Sequence, residues 1–134
     1  MLSRLFHRKE PILSGAPATP RLKTYSAGSG YVYQYFYRGR RVVEVGSGGL
    51  VEYVFNLSAD RGTFFPASVL LGNEALEGWQ SERQRELSSA ECFAIAKMAL
   101  FRALDARAEP AGMKQSVRVT AADVRSILTA LEID

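Results

Sequence analysis

The chain has few of the residues that build disulfides and metal centres. Its 134 residues include one cysteine, Cys92, and one histidine, His7. A single cysteine excludes an internal disulfide and is compatible with a reducing compartment. One cysteine with one histidine also excludes the usual Cys/His zinc sets. We therefore expect no metal and no other cofactor, and a fold that is stabilised by packing alone.

Long apolar runs are missing too. No run approaches the roughly 18 apolar residues that cross a bilayer, and the first residues contain no apolar segment of signal-peptide length. These absences predict a soluble, cytoplasmic protein without a transmembrane segment.

Signatures of catalysis are absent as well. The glycine-rich stretches at 28–30 and 46–49 both lead into predicted strands, so neither presents a helix amino terminus to a phosphate. His7 has no orienting acid beside it. Nothing in the spacing of Glu44, Glu52 and Asp60 favours an acid–base pair. An enzyme is therefore the minority interpretation, and we assign no catalytic residue.

The charge is modest and uneven. The net charge is +3, but residues 1–48 hold eight Lys/Arg against two acidic residues. A basic amino-terminal third suits a polyanion, an acidic protein surface or a membrane headgroup layer, and it also suits a solvated arm. Residues 1–30 are rich in proline, glycine and serine without a sustained period. We predict a flexible or extended arm over 1–30 and a single domain over 31–134.

A tyrosine-rich strand is the most unusual feature of the chain. Strict alternation over residues 31–37 places all its tyrosines on one face. The pair Arg38-Gly39 either turns the chain into a second strand over 41–45 or lies within one long bent strand.

The next hairpin has a testable register. A strand over 50–59 is followed by a three-residue loop, in which we expect Gly62 to take the left-handed position. This loop pairs Leu57 with Phe65 and Tyr53 with Val69, so that one face is apolar and the other polar.

The register across residues 46–49 leaves two alternatives. Pairing of Val45 with Val51 turns the tyrosines outward, whereas pairing of Val45 with Leu50 turns them toward the helices. We prefer the first register because it collects more valine and phenylalanine on the dry side.

Helical sequence follows. Asn73 is a candidate cap for a helix over 74–85 that turns Leu76 and Trp79 inward. A capping box at Ser88–Glu91 opens a long apolar helix that continues to about residue 107. A second capping box, at Thr120–Asp123, opens a final helix. A short edge strand is predicted between the two helices, over 116–119. The predicted fold class is α+β: an antiparallel meander of about four strands with one face covered by a long buried helix and flanked by shorter helices.

The functional hypothesis rests on the tyrosine strand in the outward register. Tyrosine and arginine are enriched where proteins meet proteins, which favours a protein-interaction module that binds a partner or a second copy of itself. The alternative is single-stranded nucleic acid, with bases stacked on rings and phosphates held by guanidinium groups. Exposed cross-strand tyrosines also stabilise sheets without binding anything. The candidate binding residues are Tyr31, Tyr33, Tyr35, Tyr37, Arg38, Arg40 and Arg41.

Overall fold

The computed structural model describes residues 12–45 and 48–134, and His7 and most of the predicted arm's first half lie outside them. The fold class is α+β, as predicted. The elements in chain order are β1 (Lys23–Ser26), β2 (Val32–Val45), β3 (Gly48–Ser58), β4 (Phe65–Gly72), α1 (Asn73–Arg83), α2 (Ser89–Ala106), a 3-10 helix (Pro110–Lys114), β5 (Val117–Arg118) and α3 (Ala121–Ala130). Within the described residues, no helix is long and apolar enough to cross a membrane.

The sheet has five strands in the order β1-β2-β3-β4-β5. The first four are antiparallel neighbours, as the predicted meander requires, but β5 pairs parallel with β4 through Val69 and Val117. The sheet is therefore mixed, because the chain crosses over through α2 before it returns to the sheet. The strand β1 lies within residues 1–30, where we placed no strand. The division into an arm and a domain stays a prediction.

The predicted register between β3 and β4 is confirmed. Leu57 pairs with Phe65 and Tyr53 with Val69. In the connecting loop, Arg61 rather than Gly62 takes the left-handed conformation, with φ of 65°. The Asp60 carboxylate accepts hydrogen bonds from the backbone N–H groups of Thr63 at 2.8 Å and Gly62 at 2.9 Å, which lower the Asp60 pKa to about 2.

The preferred register between β2 and β3 is wrong. Val45 pairs with Gly48, and β2 is one long strand with a bulge between Tyr37 and Gly39. This arrangement turns the tyrosines toward the helices, as the second alternative would: Tyr33 is 0% and Tyr35 6% exposed. The preferred register collects valine and phenylalanine on the dry side, but a tyrosine ring buries more area than a valine, so the tyrosine face is the better core face.

The long helix α2 covers the core face of the sheet. Its predicted capping box is present: Ser88 Oγ accepts from the Glu91 N–H at 3.1 Å, and Glu91 Oε1 accepts from the Ser88 N–H at 2.9 Å. The buried residues of α2 are Ile95, Ala96, Ala99, Leu100, Ala103 and Leu104. They share one core with the buried sheet residues Phe55, Leu57 and Val69.

The two shorter helices complete the core. The helix α1 buries Leu76 and Trp79, as predicted, but its cap residue is Gly72 without a side-chain hydrogen bond, and Asn73 is already helical. The helix α3 has the predicted capping box of Thr120 and Asp123. Trp79, the only tryptophan of the chain, is 3% exposed and therefore reports on the folded state.

Candidate functional site

A cavity of about 430 Å³ lies between the core face of the sheet, the first turns of α2 and the chain that precedes β1. Its volume is within the range of small-molecule pockets, roughly 300 to 1,000 Å³. The residues that line it are Gly15, Pro17, Arg21, Lys23, Tyr35, Tyr37, Arg40, Phe55, Ser89, Ala90, Phe93 and Lys97. We call this cavity the basic pocket, because four of these side chains are cationic and none is acidic.

The rim of the basic pocket is an arc of chain over residues 15–22. Its two ends are attached to β2: Ser14 exchanges backbone hydrogen bonds of 2.9 and 2.8 Å with Arg40, and Lys23 pairs with Tyr35. Ser14 and Lys23 are nine residues apart, whereas their partners on β2 are only five apart. The surplus chain cannot lie flat along β2, so it forms the wall that carries Gly15, Pro17 and Arg21.

Contacts between β1 and α2 hold the base of this arc. The Tyr25 ring is stacked on Phe101, with centroids 4.2 Å apart and an interplanar angle of 2°. The Tyr25 hydroxyl donates to the Asp105 carboxylate at 2.9 Å, and the Gly28 N–H donates to the same carboxylate at 2.7 Å. The edge strand is thereby fixed to the carboxyl-terminal half of the helix.

The bulge in β2 determines which arginine reaches the basic pocket. Gly39 has φ of 126°, and a Cβ atom there would lie 2.9 Å from the carbonyl oxygen of Ser14. The extra residue between Tyr37 and Gly39 changes the alternation of the strand, so Arg40 lies opposite Tyr53 on the core face and Arg41 lies opposite Glu52 on the other face. The sequence predicts a turn or a bend at Arg38-Gly39, and the bulge differs from both.

Aromatic rings form the floor of the basic pocket. The centroid of the Tyr37 ring is 5.2 Å from that of Phe55 and 4.8 Å from that of Phe93. Its hydroxyl oxygen is buried and makes no well-formed hydrogen bond with the described residues. Burial raises the pKa of Tyr37, and the nearby positive charge of Arg40 opposes this increase.

Lysines occupy the end of the basic pocket nearest β1. Lys97 Nζ is 5.8 Å from the ring centroids of both Tyr35 and Phe101. Burial lowers the pKa of Lys97, and the neighbouring Lys23 lowers it further. Within the described part of the chain, no carboxylate forms an ion pair with either lysine or with Arg40.

The amino terminus of α2 adds to the positive potential. Ser89 and Ala90 belong to the first turn of the helix and line the basic pocket. The first turn of a helix carries a partial positive charge from its free N–H groups. The acidic residue of this turn, Glu91, is paired with Arg85 at 2.8 Å and also accepts from the Ser88 N–H, so its charge is already engaged.

The structure separates the candidate binding residues into groups. Tyr35, Tyr37 and Arg40 line the basic pocket, which unites residues from both halves of β2. Tyr33 is buried outside the pocket, and Tyr31 is 37% exposed. The prediction that the tyrosines of residues 31–37 face outward together is therefore wrong.

The remaining two arginines lie elsewhere. Arg38 is exposed at the bulge, and Arg41 donates from Nε to Glu52 at 2.8 Å on the opposite face of the sheet. Neither lines the basic pocket, so of the three candidate arginines only Arg40 contributes to it.

Sequence reasoning missed the residues that come from outside β2. Arg21 and Lys23 are separated from the tyrosines by the glycine-rich turn, and nothing local joins them. Lys97 did carry a signal, because Lys97 and Arg102 are the only two cations of the largely apolar helix α2. A charged residue at such a position requires a partner or access to solvent.

The acidic residues considered for chemistry are engaged in structural contacts. Burial raises the pKa of Glu52, but hydrogen bonds from Arg41 and from Ser68 outweigh it, so the pKa is lowered overall. Asp60 holds the loop between β3 and β4. The side chain of Glu44 lies outside the described part of the structure. Among the residues that the structure describes, no group of three or more His, Cys, Asp or Glu side chains is placed to hold a metal ion.

The fold and the basic pocket define an α+β domain with a cationic, aromatic-lined cavity at one end of the sheet. In comparisons with known proteins, no protein family, curated protein or solved structure matches the chain. The function therefore has to be argued from the cavity itself.

Proposed function

We propose that this protein is a non-catalytic binding module, and that the basic pocket binds an anionic ligand with an apolar or aromatic portion. The observation that carries this proposal is the lining of one cavity, among the residues that the structure describes, by four cations, four aromatic rings and no carboxylate. Concave sites with apolar walls and a few convergent polar groups are the usual places for small ligands.

The charge arrangement supports an anion. Lys23 and Lys97 repel each other, and the lowered pKa of Lys97 reflects both its burial and this repulsion. Like charges in a partly desolvated site destabilise the fold unless a counter-charge joins them. A bound carboxylate, phosphate or sulfonate would supply that counter-charge, and it would gain charge-assisted hydrogen bonds from the ammonium and guanidinium groups.

The rings support an apolar or aromatic portion. Phe93 and Tyr37 contact each other and present ring surface to the cavity. Apolar area that leaves water on binding contributes roughly 25 cal/mol per Å² before the costs of association are subtracted. The buried Tyr37 hydroxyl makes no well-formed hydrogen bond with the described residues, and the neighbouring Arg40 guanidinium can only donate to its oxygen, so the hydroxyl proton is available to a polar atom of the ligand.

A protein partner and a nucleic-acid partner remain the alternative hypotheses, and both depend on exposed tyrosines. Both were argued from a tyrosine stripe on the outer face, and the rings lie on the core face instead. A protein or a single strand would have to insert one group into the basic pocket rather than lie along an exposed surface. A small anion fits a cavity of about 430 Å³ without this condition, so it is the primary proposal.

The test is the binding of anilinonaphthalene sulfonate, an aromatic anion, to the full chain at low salt, followed by dye fluorescence. We expect saturable binding that weakens by about tenfold in Lys97→Met and in Arg40→Gln, because each variant removes one cation from the site. The matched control is Arg118→Gln on β5, an exposed arginine at the opposite edge of the sheet. Trp79 fluorescence verifies that each variant is folded.

Two results would overturn the proposal. One is equal affinity in all three variants and the unaltered protein, which would place the dye elsewhere. The other is no binding at low salt. An oligonucleotide that displaces the dye, with an affinity that falls steeply as salt rises, would favour the nucleic-acid alternative.

A further inference from the structure

Three of the four cations of the basic pocket lie at its two ends. At one end, the ammonium groups of Lys23 and Lys97 are neighbours beside the Tyr35 ring. At the other end, the Arg40 guanidinium packs against Gly15, where a Cβ atom would lie 2.8 Å from Arg40 Nη1. Arg40 lies opposite Tyr53 on the neighbouring strand, and its charge beside the Tyr37 hydroxyl opposes the increase that burial causes in the Tyr37 pKa.

The backbone gives the separation of these ends. On β2, Tyr35, which pairs with Lys23, and Arg40 are separated by five residues with one in the bulge, which corresponds to about 13 Å at about 3.3 Å per residue. The backbone positions that carry the two cationic ends are therefore on the order of 10 Å apart.

The middle of the basic pocket is apolar. Phe55, Tyr37 and Phe93 lie between the two ends, and their ring centroids are 4.8 to 6.3 Å apart. A ligand with one anionic group satisfies only one end. The cations at the other end then gain no charge-assisted hydrogen bond from the ligand.

We infer that the ligand carries two separate anionic groups, and we call such a ligand a two-headed anion. This inference rests on the proposed function. The ligand carries an anionic group at each end, roughly 10 Å apart, joined by an apolar or planar segment. Its chemical class is that of a long dicarboxylate, or of a molecule with a carboxylate at one end and a phosphate at the other. Lys23 and Lys97 bind one head, Arg40 binds the other, and the aromatic floor contacts the segment between them.

The test is displacement of anilinonaphthalene sulfonate from the full chain by straight-chain dicarboxylates of increasing length, each compared with the monocarboxylate of equal carbon number. We expect affinity to rise to an optimum when the carboxylates span roughly 10 Å and to fall for longer chains. At the optimum, the dicarboxylate should bind at least about tenfold more tightly than its monocarboxylate, since it gains a second charge-assisted contact.

Variants test which cations bind each anionic group of the ligand. In Arg40→Gln and in Lys97→Met, the dicarboxylate should lose its advantage over the monocarboxylate, whereas Lys97→Arg and the distant Arg118→Gln should keep both the advantage and the length optimum. If Lys97→Met does not fold by Trp79 fluorescence, Lys23→Met removes charge from the same end at an exposed position on β1.

The outcomes separate this inference from the proposed function. Equal displacement by mono- and dicarboxylates, with no optimum in length while the dye still depends on Arg40 and Lys97, overturns the two-headed ligand and leaves the anion site standing. Failure of the dye itself to bind at the basic pocket overturns both.

Discussion

The ammonium nitrogen of Lys97 lies 5.8 Å from the centre of the Tyr35 ring, inside the layer between the sheet and its covering helix. A cation over a ring is attracted to it by roughly 0.5 to 1 kcal/mol. Burial and the neighbouring Lys23 disfavour the charged form of Lys97, so they lower its pKa. A residue that is costly for folding and that faces a cavity is a candidate for binding rather than for stability.

Lys97→Met should therefore retain or raise the stability of the fold while it weakens anion binding. In the folded protein the Lys97 pKa lies below its unfolded value, so the charged form destabilises the native state at neutral pH. This penalty is relieved as pH rises through the lowered pKa toward the unfolded value of about 10.4. Urea unfolding followed by Trp79 fluorescence measures the difference from the unaltered protein, which should shrink with rising pH. A marked loss of stability at neutral pH would contradict this prediction.

Two variants of Tyr33 separate the contribution of its ring to stability from the contribution of its hydroxyl. The side chain is 0% exposed, and its hydroxyl has no hydrogen-bond partner in the described part of the chain. Tyr33→Ala should cost about 3 to 5 kcal/mol of unfolding free energy, as for other buried aromatic residues. Tyr33→Phe should be neutral or gain about 1 kcal/mol, because it removes an unsatisfied polar group.

Chemical denaturation of the two variants at one pH checks this pair. If Tyr33→Phe loses as much stability as Tyr33→Ala, then the hydroxyl has a partner that stabilises the fold. If Tyr33→Ala loses almost nothing, then the ring is outside the core.

The bulge at Gly39 should be sensitive to a single methyl group. Its φ of 126° is disfavoured for residues other than glycine, and the added Cβ would lie 3.1 Å from Leu13 Cβ. Gly39→Ala should therefore cost about 1 to 3 kcal/mol. Binding of the dye should also weaken, because the bulge directs Arg40 into the basic pocket.

Gly48→Ala is the matched control for this variant. Gly48 lies in the neighbouring strand, and a Cβ there would meet no atom within 4 Å. Its stability and dye affinity should stay close to those of the unaltered protein. Equal behaviour of the two variants would show that the bulge tolerates a side chain.

Alkaline pH should destabilise the protein through its buried tyrosines. Burial raises the pKa of Tyr53 to about 12, with smaller contributions from Cys92 and Tyr37. The stability from this raised pKa is fully present below about pH 10, where the unfolded tyrosine is protonated, and it is lost as pH rises toward 12. The loss for Tyr53 should total roughly 3 kcal/mol above pH 12, of which roughly half should be reached by about pH 11. Urea midpoints between about pH 9 and pH 11 measure it, and Tyr53→Phe should flatten the profile.

Local patterns predicted the elements of the fold well. The capping boxes at Ser88 and Thr120 and the pairing of Leu57 with Phe65 follow from short-range chemistry, and all three are present. The bulge in β2 does not follow from such patterns, because Arg38-Gly39 fits a turn, a bend or a bulge equally well. One extra residue there is enough to change which side chains reach the core face.

The candidate site was predicted only in part for a related reason. Tyr35, Tyr37 and Arg40 lie on one strand, so alternation groups them. Arg21 and Lys97 join them only after the edge of the sheet and the helix have been placed, and such long-range contacts leave no periodic signal in the chain.

The arc over residues 15–22 is longer than its two attachment points on β2 require. Its length can therefore change without disturbing the strand pairing or the aromatic floor beneath it. Insertions or deletions between Gly15 and Arg21 would widen or narrow the mouth of the cavity and move Arg21, while Lys97 and the backbone of Arg40 stay where they are. Related chains could in this way admit ligands of different girth on an unchanged scaffold, and a designer could do the same.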